Sequence, residues 1–135
     1  MNKVLNIHRG DAEARSLDEL SDRVIGACIE IHKHLGPGLL ESGYEECLCH
    51  ELTLAGLAFE RQKPLPVTYK TVKLDCGYRL DLIIENKLIV ELKTVEQLRP
   101  IHEAQLLTYL KISGLPLGYS SISTSRFSDR ASNAS

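Results

Sequence analysis

Tryptophan is absent from the chain, and aromatic residues make up only 5% of its 135 residues. So small an aromatic content gives the sequence no evident device for reading bases. Charge of one sign is also lacking: the formal net charge is −2. That near-neutrality weighs mildly against coating nucleic acid by bulk electrostatics, although a local groove can still be basic and a bound metal adds positive charge. No run approaches the eighteen or so apolar residues of a membrane span. The opening Met1-Asn-Lys-Val-Leu-Asn-Ile-His-Arg9 lacks the apolar centre of a signal peptide. A cytoplasmic location with no membrane partner is the expectation. The cysteines, Cys28, Cys47, Cys49 and Cys76, have no zinc-ribbon spacing, and a reducing compartment keeps them as thiols. Cys47-Leu-Cys49-His50 suggests a metal site, but residues two apart on a helix point away from each other. Composition is otherwise that of an ordinary folded domain, 43% hydrophobic and 25% charged.

What stands out is Arg79-Leu-Asp-Leu-Ile-Ile-Glu-Asn-Lys-Leu-Ile-Val-Glu-Leu-Lys-Thr94, two apolar runs joined by a short polar turn. Asp81, Glu91 and Lys93 occupy positions where apolar residues would be expected. Leu80 to Ile84 and Leu88 to Val90 are short and rich in branched residues, so they read as the strands of a hairpin. A three-residue loop at 85–87 sets Ile84 opposite Leu88, Asp81 opposite Glu91 and Arg79 opposite Lys93; a two-residue loop would send the two acids to opposite faces. The odd loop is the reading adopted.

Directly opposed carboxylates repel unless a cation lies between them. A divalent metal removes the conflict, and hard oxygen ligands suit Mg²⁺ or Mn²⁺, which keep several waters and leave room for a phosphate. Lys93 on the same face could place an attacking water or balance charge at phosphorus. The plainer alternative is a solvated strand face carrying a weak ion pair.

Helices flank this hairpin. Ser16-Leu-Asp-Glu19 has the form of a capping box opening a helix with the stripe Leu17, Leu20, Val24, Cys28, Ile31 and Leu35, which Gly36-Pro37-Gly38 ends. His32 falls in its last turn, where a capping or hydrogen-bonding role is the ordinary one. A second helix spans roughly Leu39 to Ala55, and Glu41 near its start complements the helix dipole. Phe59 to Lys63 and Val67 to Lys70 read as strands separated by Pro64-Leu-Pro66, which suits an edge, and Val72 to Leu74 continues a meander. Lys63, Lys70, Lys73 and Arg79 line this region, either as a soluble edge or as a phosphate-facing rim. Pro100 opens a last helix, ended by Gly114, on which His102, Gln105 and Tyr109 can address one surface.

Asp81 followed by Glu91-Leu-Lys93 resembles the D…ExK core of the PD-(D/E)xK nuclease superfamily. Gly38-Leu-Leu-Glu41-Ser-Gly-Tyr44 resembles the G-x-x-E-x-x-Y pattern that names the GxxExxY protein family, a bacterial group placed in that superfamily. His32, the Gly36-Pro-Gly38 turn, Tyr78-Arg-Leu-Asp81 and Gln105-Leu-Leu-Thr-Tyr109 are similar to further blocks of that family, from about Leu17 to Gly118. The resemblance implies a restriction-endonuclease-like α/β (α+β) core, a central mixed sheet flanked by helices. It implies Asp81 and Glu91 as Mg²⁺ or Mn²⁺ ligands, with Glu41 and the Leu92 carbonyl completing the shell. Lys93 would serve the water, Gln105 would orient the phosphate or the lysine, and Tyr44, Arg79, His32 and Tyr109 would support them. The implied activity is metal-dependent hydrolysis of DNA or RNA. The alternative is a non-catalytic module that keeps the fold to bind nucleic acid or protein, with an oligomerisation domain as a third reading.

The expected organisation is a loose arm over residues 1–15, a domain over 16–118 and an atypical polar tail over 119–135. Tyr119 to Ser135 is too serine-rich for a core strand, and a shifted reading frame can yield Gly-Leu-Leu-Ile-Asn-Phe-Asn-Val, an ending of the family's kind. A frameshift that alters or removes the last strand is therefore expected, leaving a free sheet edge for a homo-oligomer.

Overall fold

A computed structural model describes residues 3–6, 11–75, 77–95 and 97–122 of the chain. The elements in order are β1 (Lys3–Asn6), α1 (Asp11–Leu35), α2 (Glu41–Leu54), β2 (Phe59–Pro64), β3 (Val67–Tyr69), β4 (Val72–Leu74), β5 (Arg79–Ile84), β6 (Leu88–Lys93), α3 (Pro100–Ser113) and β7 (Leu117–Ile122). Five strands form one mixed sheet in the order β1-β7-β6-β5-β2, and β3 and β4 form a separate two-stranded ribbon. Within the sheet β6 and β7 are parallel, joined by α3, and the other pairs are antiparallel. This is the α+β, restriction-endonuclease-like core that the resemblance implies.

Helix spacing explains the layers. Leu17, Leu20, Val24, Cys28 and Ile31 recur at three- and four-residue intervals and are buried, so α1 presents one apolar stripe. Tyr44, Leu48 and Leu52 do the same for α2, and both helices pack on the face of Leu82, Ile84, Leu88, Val90 and Tyr119. On the opposite face Leu106, Tyr109 and Leu110 of α3 cover Ile83 and Ile89. Covered on both sides, β6 reads as a nearly continuous apolar run. Each fully buried leucine contributes about 2 kcal/mol. Glu91 interrupts that run.

Three expectations are corrected. The arm expected over 1–15 is structured where it is described: β1 pairs with β7, and α1 begins at Asp11, so Ser16-Leu-Asp-Glu19 lies inside the helix and does not cap it. Asp11-Ala-Glu-Ala-Arg15 are adequate helix formers that extend the helix by more than a turn. The last strand, expected to be altered or missing, is present as β7, held between β1 and β6. Its serines are small enough to be buried, Ser120 and Ser121 are almost fully so, and backbone pairing on both sides does not depend on side-chain polarity. The sheet edge that its loss would have freed is therefore not formed there. Finally, Val67–Tyr69 and Val72–Leu74 leave the sheet rather than continuing it. The frameshift, as far as it concerns residues 123–135, lies outside the described residues. Among the described residues no helix is long and apolar enough to cross a membrane.

Candidate active site

The hairpin of β5 and β6 pairs Ile84 with Leu88, Ile83 with Ile89 and Leu82 with Val90, as a three-residue loop requires. One step further this register sets Asp81 opposite Glu91, on the face that carries Ile83 and Ile89. The turn itself holds Glu85 and Asn86 at left-handed φ values of 54°. It is pinned to the start of β2, because Glu85 donates its N–H to the Ala58 carbonyl (2.8 Å) and its carboxylate accepts the Ala58 N–H (2.6 Å).

At the level of Asp81 the ladders on both sides give way. The Leu92 N–H is donated to Oδ2 of Asp81 at 2.8 Å, and the Thr94 N–H to Oε1 of Glu41, also at 2.8 Å. Two carboxylates thus take up alternate N–H groups at the end of β6. On the other side, β2 pairs Arg61 with Leu82 and Lys63 with Leu80, while Gln62 between them has a φ of 50°. A left-handed conformation costs a residue with a Cβ about 1 kcal/mol. The Gln62 amide donates to Oε1 of Glu45 at 2.7 Å, and Arg61 donates to Oε2 of the same carboxylate at 2.8 Å. A cavity of about 660 Å³ opens here, lined by Glu41, Glu45, Gln62, Asp81, Leu92 and Thr94 among others.

Beside Asp81 lies Glu91, only 5% exposed. Its Oε1 has no hydrogen-bond partner among the described residues. Burial, then a hydrogen bond with Asp81 and the like charge of Asp81, push its carboxyl up to about 9, and Lys93 only partly opposes this. Without a cation the Glu91 carboxyl therefore holds its proton at neutral pH. Lys93 donates from Nζ to Oε1 of Gln105 at 3.1 Å, which ties β6 to α3. Tyr109, one helical turn beyond Gln105, is raised by burial and by the Glu91 charge, with a hydrogen bond to Gln105 acting the other way. Asp81, Glu91, Lys93, Gln105 and Tyr109 are thus brought together.

Other residues singled out in the sequence lie elsewhere. His32 and Tyr44 meet each other in the core: Nδ1 of His32 donates to the Cys28 carbonyl (3.0 Å), and the Tyr44 hydroxyl lies 3.4 Å from that nitrogen and 3.3 Å from Oγ of Ser121. Tyr44 is turned inward on α2 and is almost fully buried, with its hydroxyl beside His32 and Ser121. Burial pushes the neighbouring Cys28 thiol up to about 11, which leaves it unreactive. Arg79 is exposed at the start of β5. Nδ1 of His102 accepts the Arg99 N–H at 2.8 Å and so closes the start of its own helix. Glu45 and Gln62 were not singled out by sequence reasoning. The signal for Glu45 was its place four residues after Glu41, on the same helical face.

Among the described residues no three His, Cys, Asp or Glu side chains are gathered so that they could hold a metal ion. Glu41 borders the cavity but does not form such a cluster with Asp81 and Glu91. The acid pair by itself fits an ion of the Mg²⁺ kind, which binds through one or two carboxylates and retains waters. Such an ion would satisfy the orphaned Oε1 of Glu91 and relieve its repulsion with Asp81.

Residues 18–120 match the family described as the PD-(D/E)XK nuclease superfamily. No curated protein and no solved structure matches the chain.

Proposed function

From the premise that this chain belongs to the PD-(D/E)XK nuclease superfamily, we propose that it is a metal-dependent phosphodiesterase acting on DNA or RNA, of the GxxExxY kind. The observation that carries this reading is Glu91: a buried carboxyl with an orphaned oxygen, directly across the hairpin from a second acid. A buried acid in that setting costs stability unless a cation or a proton neutralises it, which makes it a candidate for a functional role.

Asp81 and Glu91 would hold Mg²⁺ or Mn²⁺, with the Leu92 carbonyl beside them. The ion, when bound, supplies Lewis acidity at a phosphoryl oxygen and a more acidic water. The Leu92 N–H fixes Asp81 in one orientation, so the carboxylate need not reorganise to bind. Lys93 presents its ammonium on the same face, where it orients the attacking water and balances the charge that develops on phosphorus. Gln105 holds Nζ of Lys93 in place, and Tyr109 closes that flank. Glu41 keeps the end of β6 against the start of α2.

A second reading, a module that binds without cleaving, is favoured by the lack of a three-ligand cluster among the described residues. Cleavage of labelled single- and double-stranded DNA and RNA, with Mg²⁺ or Mn²⁺, separates the two. The hydrolytic reading expects turnover in the wild type that Lys93→Met lowers by about a thousandfold. Nucleic-acid binding without turnover by the wild type in either metal would replace it with the second reading.

A further inference from the structure

The β3–β4 ribbon plays no part in the site as described. It stands apart from the main sheet, and its turn places Lys70 at a φ of 55°, where a glycine or asparagine would be less strained. Isolated two-stranded ribbons are marginal. This one also exposes what a stabilising ribbon would bury: Tyr69 is 62% exposed, and Val72 and Leu74 are open to solvent beside it. Nζ of Lys70 lies 5.5 Å from the centre of the Tyr69 ring. Charge is concentrated here as well. Between residues 63 and 79 there are four cations, Lys63, Lys70, Lys73 and Arg79, against one acid, Asp75, in a chain whose net charge is −2.

The ribbon leads to the acids. Its base is closed by the Leu65 N–H donated to the Tyr78 carbonyl (2.9 Å). The half-exposed Tyr78 ring lies 6.3 Å from that of Tyr109, which packs with Ile83 and Ile89 on the face that carries the acids. Arg79 follows, two residues before Asp81 and on the same strand face.

We propose that the β3–β4 ribbon is a docking arm for single-stranded nucleic acid, with Tyr69 and Tyr78 stacking on unpaired bases and Lys70, Lys73 and Arg79 facing phosphates. The inference rests on the phosphodiesterase reading and adds the substrate's form to it. An exposed ring can stack only on a base whose face is free, so the arm selects unpaired segments over duplex. The basic stretch complements the phosphate backbone that the chain's overall charge would repel. Lys63 is already paired with Glu60 at 3.2 Å, and a partner of neutral or basic surface has no use for the other three cations.

The test uses fluorescence anisotropy in EDTA with the full chain, short labelled oligothymidylate and oligouridylate, and a blunt hairpin duplex. Tyr69→Ala should weaken binding to the single strands about tenfold, and Tyr69→Phe should restore it. Lys70→Ala with Lys73→Ala should lower the salt slope by about 0.7 for each lysine removed. All of these side chains are exposed, so the fold is retained. Unchanged single-strand affinity in Tyr69→Ala, or duplex binding as tight as that of either single strand, overturns the assignment. A change in size-exclusion elution with no change in affinity also overturns it and assigns the ribbon to a second copy of the chain. Cleavage with Mg²⁺ is read separately: no turnover alongside affinity loss in the variants sinks the hydrolytic reading alone, and turnover with unaltered affinities sinks the arm alone.

Discussion

Asp81 accepts the backbone N–H of Leu92 at 2.8 Å, so the residue proposed to bind a metal also takes the place of a strand carbonyl at the point where the hairpin ladder stops. Two substitutions at this position should separate the two roles. Asp81→Asn keeps an acceptor oxygen and should unfold within about 1 kcal/mol of the wild type, whereas Asp81→Ala strands a backbone donor and should lose about 2 kcal/mol. Both should abolish Mn²⁺ binding. Denaturant melts and calorimetry on the two variants check this, and an equal stability loss in both would mean the bond has no structural value.

Glu91 links stability to pH with a definite sign. Its carboxyl is raised from an ordinary carboxylate value to about 9, so the folded chain retains a proton that the unfolded chain has lost. The stabilising contribution is complete below the unfolded value and disappears as pH rises towards about 9. In EDTA, stability should therefore fall between pH 5 and pH 9. Glu91→Gln, neutral throughout, should flatten that slope and raise the melting temperature at pH 8 by about 5 °C. Thermal melts across pH, with and without the substitution, are the measurement.

Lys93 and Gln105 act as a unit, joined at 3.1 Å between β6 and α3. Lys93→Met should lower kcat by about a thousandfold with metal affinity retained, since a charge that acts on the transition state is lost. Gln105→Ala should lower kcat about tenfold with little change in KM, because the lysine loses its orientation while keeping its charge. A Gln105→Ala effect confined to KM would place that residue in binding rather than in positioning.

Gly118 is tightly enclosed. A Cβ added to it would meet Cδ1 and Cγ of Leu106 at 3.0 Å. Gly118→Ala should therefore cost about 1–3 kcal/mol through overpacking between β7 and α3, which a denaturant melt would show. No loss would mean that Leu106 has room to turn away.

The hairpin and its acids were legible because parity alone decides them: an odd loop over residues 85–87 puts Asp81 and Glu91 on one face, and the observed register agrees. Helices α2 and α3 were legible from periodicity and from Gly56 and Gly114, both left-handed as stops should be. The serine-rich β7 was not, because its place depends on neighbours far away in the chain. Ser121 is buried against the Tyr44 hydroxyl, seventy-seven residues earlier, and β1 supplies its second ladder. The left-handed Gln62 and its bond to Glu45 were hidden for the same reason, since no local pattern marks a residue strained by its strand partner.

The most direct test of the acid pair is the proton count on metal binding. Calorimetric titration with Mn²⁺ at pH 7, in buffers of different ionisation enthalpy, should report about one proton released per ion, because Glu91 must give up its proton to ligate. Binding with no proton release would contradict the assignment of Glu91 as a protonated ligand, and no binding at millimolar Mn²⁺ would mean that the buried pair is not a metal site.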